Sequence, residues 1–295
     1  MKDRPMKDKV ANDKIMHDKP DNYEKTGYLQ KHYKLFHLKD SEQREFSYHY
    51  HDFDKLICFL GGKVDYMIEG KKYELEPYDF LLVNRNEIHK PMVDFTVPYE
   101  RIILYIEHEF LEQYREEEYD LTTCFAKTGE EQTNVVRFPA VVTRQLCDML
   151  IKMEVCNQSE PYAKELYEEL LFLEFIILFN GACVEHEYAY HRTAKYNKKV
   201  IDMIQYINEN LSEELSIDRL ADSFFMSKYH MMRRFKEETG YSIHQYITEK
   251  RVLAAKAMIQ EGMSANAAAI ECGFKDYSTF ARAFYKCVGR MPSEV

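Results

Sequence analysis

Two stretches of this 295-residue chain repeat one arrangement about 50 residues apart, and the duplication constrains the fold more than any other feature. The first reads Leu220-Ala221-Asp222-Ser223-Phe224-Phe225-Met226-Ser227, followed by Lys228-Tyr229-His230-Met231-Met232-Arg233-Arg234-Phe235-Lys236. The second reads Ala268-Ala269-Ile270-Glu271-Cys272-Gly273-Phe274-Lys275-Asp276, followed by Tyr277-Ser278-Thr279-Phe280-Ala281-Arg282-Ala283-Phe284-Tyr285-Lys286. Each places a short helix with a small Ala before a tight turn, then a Ser or Asp at a helix start, then a second helix mixing basic residues with Phe. Ala lets two helices approach closely at a steep angle, and a capping Ser227 or Asp276 satisfies the first amides of the second helix. This is the logic of a helix-turn-helix, whose second helix enters a DNA major groove.

Charge separates this region from the rest. The whole chain carries 40 Lys+Arg and 50 Asp+Glu, a formal net charge of −10. Residues 196–295 hold 14 basic and 13 acidic residues, so the first 195 hold 26 and 37. A near-neutral domain meets nucleic acid only if its basic residues gather on one face. Seven Cys are scattered without a CxxC pair, which predicts no disulfide framework and no zinc-ribbon site. No apolar run reaches the roughly 20 residues of a membrane span. The Lys/Asp-rich N-terminus has no signal-peptide core. A reduced, cytoplasmic protein with no membrane partner is expected.

Residues 1–22 read as a solvated, disordered arm, with Met16 as an alternative start. From about 23 to 138 the pattern is short β-prone runs: Leu56-Ile57-Cys58-Phe59-Leu60, Val64-Tyr66-Ile68, Phe80-Leu81-Leu82-Val83 and Ile102-Ile103-Leu104-Tyr105-Ile106. Gly61-Gly62, Glu69-Gly70-Lys71 and Asn84-Arg85-Asn86 punctuate them, which predicts a small antiparallel barrel or sandwich. Helical spacing then covers Pro139 to Cys156 and Pro161 to Asn180. The second of these is apolar on more than one face, so it must bury against the barrel or a partner subunit. Residues 139–187 are assigned to a helical dimerisation segment, 188–196 to an interdomain linker, and 197–295 to an all-helical domain.

The C-terminal hundred residues resemble the AraC/XylS family of transcription regulators. The matches also include Gly240-Tyr241-Ser242, Arg251-x3-Ala255, Cys272-Gly273-Phe274 and Gly289-Arg290-Met291-Pro292-Ser293. The resemblance implies two helix-turn-helix units joined by one long helix. About 18 residues at roughly 1.5 Å each span about 27 Å, which suits two recognition helices in successive major grooves about 34 Å apart. It implies that Tyr229, Met232 and Arg233 in the first unit, and Tyr277, Ser278 and Arg282 in the second, face base edges. An Arg can read guanine with two hydrogen bonds. Lys228, Lys236 and Lys286 are placed for phosphates, and Phe235, Phe280 and Phe284 for the core. Phe225 departs from the family, which often has Gly there, and Ala265 and Ala268 replace larger aliphatics. The chain stops at Val295, where the family usually continues into a short final helix.

Phe46-Ser47-Tyr48-His49-Tyr50-His51-Asp52-Phe53 and Asn84-Arg85-Asn86-Glu87-Ile88-His89-Lys90-Pro91 resemble the cupin-like sensor barrel common in that family. The expected fold is therefore α+β and multidomain, a cupin-like barrel with following helices and a C-terminal double helix-turn-helix. His49 and His51 have the His-x-His spacing of cupin metal ligands. Lys55 stands where those enzymes place a Glu, and Leu82 where they place a later His. A protonated Lys repels a dication, so no metal and no cofactor is expected. His49, His51, Tyr66 and His89 are instead expected to line a small-molecule site, or to be satisfied structural groups.

The resulting expectation is a DNA-binding, effector-responsive regulator, an activator by resemblance, with a sugar as one candidate effector. Its partners would be double-stranded DNA at two major-groove half-sites, RNA polymerase and a second copy of the chain. A metal cupin enzyme carrying a DNA-binding tail, and a regulator without effector, remain the alternatives.

Overall fold

The computed structural model describes residues 31–43, 45–186 and 189–295; the arm assigned to 1–22 lies outside them. The apolar strand runs are continuous rather than alternating, because one sheet is covered on both faces. Its five strands lie in the order β1 (Tyr33–Asp40), β7 (Tyr99–Ile106), β2 (Asp54–Gly61), β5 (Phe80–Val83), β8 (Val135–Val136). The second sheet orders β6 (His89–Val93), β3 (Val64–Ile68), β4 (Lys71–Glu74), β9 (Lys195–Tyr196). All the strand pairings are antiparallel. Ile57, Phe59, Leu81, Ile103 and Tyr105 pack with Tyr66, Ile68 and Tyr73 of the second sheet. Their neighbours Leu56, Cys58, Phe80, Leu82 and Leu104 face helices on the other side. This two-residue alternation is the geometry of the pleat.

The covering helices are α3 (Ala140–Gln158) and α4 (Lys164–Glu185), with the short α1 (His108–Glu112) and α2 (Thr123–Glu131) at the edge. The latter pair interrupts the region read as strands. On α4, Leu171, Phe172, Phe175, Ile176 and Phe179 are buried against the sheet. Leu166, Leu170, Ile177 and Val184 of the same helix are exposed. The barrel accounts for the buried face of this helix and leaves the other face open.

Residues 189–196, within the segment assigned to the interdomain linker, are held to the barrel. Lys195 and Tyr196 pair with Lys72 and Lys71 of β4. Tyr190 is buried, bridges to Val136, and donates its hydroxyl to the Cys124 carbonyl at 2.7 Å. The polar composition hid this, since the pairing uses backbone groups that every residue carries.

The last hundred residues fold into α5 (Lys198–Glu209), α6 (Ile217–Ser223), α7 (Lys228–Thr239), α8 (Ile243–Gln260), α9 (Ala265–Glu271) and α10 (Tyr277–Val288). Helix α8 has the predicted 18 residues and begins with a reciprocal cap between Ser242 and Gln245. Two cores flank it. Leu220, Met231, Phe235 and Tyr246 belong to the first, and Val252, Ala255, Ala268, Phe280 and Phe284 to the second. Arg251 joins the units by donating to the carbonyls of Leu211, Gly273 and Glu213 at 2.8, 2.8 and 2.6 Å. A Cβ on Gly273 would stand 2.6 Å from the Leu211 oxygen, which restricts that position to glycine.

The capping differs between the repeats. Asp276 accepts from the Thr279 amide at 2.8 Å as expected. Ser227 occupies the cap position of α7 without a side-chain cap bond. The turns match: Met226 N bonds to Ala221 O, and Phe274 N to Ala269 O, each at 3.0 Å. Both turns need a left-handed residue, Gly273 at φ 80° and Phe225 at φ 51°. Phe225 is 92% exposed, so its ring contributes no packing. Left-handed strain in a non-glycine residue costs about 1–2 kcal/mol, and glycine adds about 0.5–1 kcal/mol of chain entropy. Phe225→Gly should therefore raise stability by roughly 0.5–1 kcal/mol, visible as a higher urea midpoint at unchanged slope; a lower midpoint would contradict this account of the turn.

Candidate DNA-binding and effector-binding sites

The residues expected to read DNA lie on the outer faces of α7 and α10. Lys228, Tyr229, Met232, Arg233 and Lys236 are all exposed, as are Tyr277, Ser278, Arg282 and Lys286. Their spacings of one, four, five and eight or nine residues put each set on one helical face. The opposite faces carry Met231, Phe235 and Thr239, and Phe280, Phe284 and Cys287, all buried. Helix α7 holds four basic and two acidic residues, and α10 two basic and none acidic, so basic charge does gather here. Without DNA these cations have local partners. Lys228 pairs with Asp218, Arg233 lies 3.6 Å from Glu237, and Arg282 donates to Ser278 O at 3.2 Å. Such exposed pairs are worth under about 1 kcal/mol and yield readily to phosphate or base.

The barrel residues expected to hold an effector converge. The His49 and His89 rings are 4.4 Å apart between centroids, His51 and His89 4.6 Å, and Tyr66 and His89 6.2 Å. An isolated antiparallel bridge sets the first pair: His49 N donates to His89 O and His89 N to His49 O. His51, Tyr66 and His89 are buried. Burial, with the positive charge of Lys55, holds the His51 and His89 imidazoles well below their usual range and so neutral.

Lys55 itself belongs to this cluster. Its ammonium donates to the Tyr66 hydroxyl at 3.3 Å and faces the Tyr66 and Tyr105 rings. Burial, and secondarily the nearby Arg101 charge, pushes its pKa down from 10.5 to about 7. From the sequence Lys55 has only a blocking role; its burial follows from its place in β2, whose residues 54–59 are all buried.

The contacts joining barrel and helical domain have no signature in the sequence. Tyr50 and Ile88 of the barrel lie in the core of the first helix-turn-helix unit. The Glu69 carboxylate accepts from Ile88 N at 2.8 Å, the Tyr246 hydroxyl at 2.6 Å and the Lys250 ammonium at 2.6 Å. Lys250 also donates to Asn86 O at 2.8 Å, and Lys256 to Asp52 at 2.9 Å. Tyr48 covers Gly240, where a Cβ would collide with its ring. Beside these contacts a cleft of about 790 Å³ is lined by Asp52, Arg85, Asn86, Glu109, Lys250 and Lys256.

A depressed lysine pKa sets a pH dependence. Between about 7 and 10.5 the unfolded chain binds a proton that the folded Lys55 does not, so this group makes stability rise with pH across that window. Lys55→Met should remove that rise and gain stability at pH 7 relative to pH 10. Paired denaturation curves at the two pH values measure it, and an equal difference for both proteins would exclude the buried-lysine effect.

Comparison with known proteins agrees with this division. A model of the AraC-like ligand binding domain matches residues 35–172, and a helix-turn-helix domain model matches residues 220–295. The chain is 22% identical over 255 residues to the HTH-type transcriptional activator RhaR of Escherichia coli K12, covering 85% of this chain and 87% of the relative. Among solved structures, apo ToxT from Vibrio cholerae aligns over 90% of this chain and 96% of its own, with a TM-score of 0.37 and 11% identity. The C-terminal domain of AraT, a response regulator from Geobacillus stearothermophilus, covers 33% of this chain and 83% of its own, with a TM-score of 0.32 and 24% identity. No helix among the described residues is long and apolar enough to cross a membrane. With a ligand-binding barrel followed by two helix-turn-helix units on one connecting helix, the chain belongs to the AraC/XylS family and is a ligand-responsive DNA-binding regulator.

Proposed function

We propose that an effector bound at His49, His51, Tyr66 and His89 controls how the barrel grips the first helix-turn-helix unit. The supporting observation is an alternation of side chains. His49 and His51 turn into the cluster, while Tyr48 contacts Gly240 and Tyr50 packs in the helical core. On the adjoining segment His89 turns inward and Ile88 packs in that core. Each of the three histidines is thus one peptide away from a residue touching the DNA-binding domain. A small shift of either segment moves both sets together, and a ligand preferring one arrangement shifts the balance between them.

In this reading Arg233 and Arg282 read bases, with Tyr229, Met232, Tyr277 and Ser278 beside them, and Lys228, Lys236 and Lys286 hold phosphates. The output is activation, by contact with RNA polymerase in the cytoplasm, as the name of the RhaR relatives favours. The barrel binds its ligand without catalysing a reaction. Arg233→Ala and Arg282→Ala should each cost roughly 1–3 kcal/mol at particular base pairs of the operator and relax selectivity there. Gel shifts across base-substituted operators test this, and a uniform loss on every sequence would reduce these arginines to phosphate contacts.

A homodimer is also proposed, through α3 and α4. Leu170, Ile177 and Val184 recur every seven residues on the exposed side of α4, with Leu166 one turn before them. Val141, Ile151 and Val155 are exposed on α3. A seven-residue apolar repeat is the seam of a helix pair. The double change Leu170→Glu and Ile177→Glu should turn a sedimenting dimer into a folded monomer; a wild-type monomer at tens of micromolar would remove the proposal.

A further inference from the structure

We propose that His49, His51 and His89 together form a site for one divalent d-block cation of the zinc class, with a fourth coordination position left open. The inference rests on reading this cluster as the effector site and gives that effector a chemistry. One ligand atom of each imidazole lies within 4.8 Å of those of the other two. The three residues come from two backbone segments, so the set forms only in the folded barrel.

Hydrogen bonding fixes which nitrogen of two of the rings carries the proton. His89 Nδ1 lies 2.9 Å from the Glu87 carbonyl, and His49 Nδ1 2.9 Å from the Ser47 carbonyl. A carbonyl only accepts, so each Nδ1 bears the proton and each Nε2 the lone pair. Metal-binding histidines are held in this way, with the second nitrogen donating to a backbone carbonyl or carboxylate. His89 is fully buried, and its Nε2 has no hydrogen-bond partner. An unsatisfied buried acceptor carries a desolvation cost and demands an explanation. A coordinated cation supplies one.

Ligand chemistry selects the class of ion. Neutral imidazoles suit zinc, copper, nickel and iron, whereas magnesium and calcium take oxygen ligands. Three protein ligands with one open position describe an exchangeable site rather than a closed structural one. The sequence-based objection was that Lys55 replaces the usual carboxylate. The third ligand instead comes from His89 on another segment, and the Lys55 ammonium is engaged with the Tyr66 hydroxyl. Its charge weakens the site without occupying a ligand position, which suits reversible sensing.

Nitrogens sharing one zinc at about 2.0–2.1 Å stand about 3.3 Å apart, against separations of up to 4.8 Å here, so binding draws the rings together. That contraction pulls the segment carrying Tyr48 and Tyr50 toward the one carrying Ile88, the residues that touch the helical domain.

The test uses the full chain, reduced and stripped with a chelator, then titrated with cobalt(II) and zinc(II) by calorimetry and absorption. The expected result is one equivalent per chain, with cobalt bands of nitrogen and oxygen ligation and no thiolate charge-transfer band. His89→Gln and His51→Gln should weaken binding by about tenfold or more, and Lys55→Met should tighten it. Circular dichroism of the metal-free variants checks their fold. Should a variant fail to fold, the wild-type cobalt spectrum still decides, because a thiolate band would assign the metal to cysteine. No saturable binding, a thiolate band, or unchanged affinity in folded His89→Gln overturns the inference. Thermal shifts with a panel of neutral sugars separate the two readings. A sugar shift lost in His89→Gln, with no metal binding, overturns the metal and keeps the effector site. No shift with either overturns both.

Discussion

The Glu69 carboxylate is the contact on which the arrangement of the two halves depends. It sits in the two-residue turn between β3 and β4, where Glu69 at φ 46° and Gly70 at φ 75° are both left-handed. Paired positive φ values are what a tight hairpin of this hand requires, and Asn-Gly fills them most easily. Glutamate there carries strain, and the strain is offset by what the turn delivers. One carboxylate receives hydrogen bonds from Ile88 N, Tyr246 and Lys250. Both charged side chains are largely withdrawn from water, at 14% and 15% exposure. Removing one partner of such a pair strands the other charge, a loss of about 3–5 kcal/mol. Together with the Tyr48, Tyr50 and Ile88 contacts, it holds the two domains in one orientation.

Around that contact the barrel serves as a lever rather than as a container. The five-stranded sheet is buried on both faces, and such a packed interior transmits displacement rather than absorbing it. The His-bearing segments run along the rim of the second sheet, whose outer contacts are Tyr48, Tyr50, Ile88 and Glu69 against α7 and α8. Helix α8 in turn carries Arg251, whose three carbonyl contacts reach both helix-turn-helix units. A chain of direct contacts therefore runs from the histidine cluster to the second recognition helix. Its coupling strength is a property of the two arrangements it separates, and distance alone does not set it.

Charge follows the same division. The acidic excess belongs to the first 195 residues, while basic groups collect on the exposed faces of α7 and α10. An acidic barrel repels DNA, which leaves approach favourable only through the recognition faces.

The sequence by itself determined the local elements and their class. Helix α8 has the length predicted, Phe235, Phe280 and Phe284 are core, and the nine residues expected to meet DNA are exposed, because period and residue type act over a few positions. Phe225 was legible as a departure, and its left-handed backbone gives the reason. His49, His51, Tyr66 and His89 were legible as one group only through the resemblance to a barrel fold. Tertiary structure alone decided the rest. It buried Lys55 among aromatic rings, tied residues 189–196 to β4 and β8, and set Glu69 against Lys250 across 181 positions. It also left Ile270 of the Ala-rich α9 72% exposed, while Ala268 took the buried place against α8. These outcomes depend on which surfaces meet at long range. Side-chain identity restricts such contacts, but the packing of whole elements chooses among them.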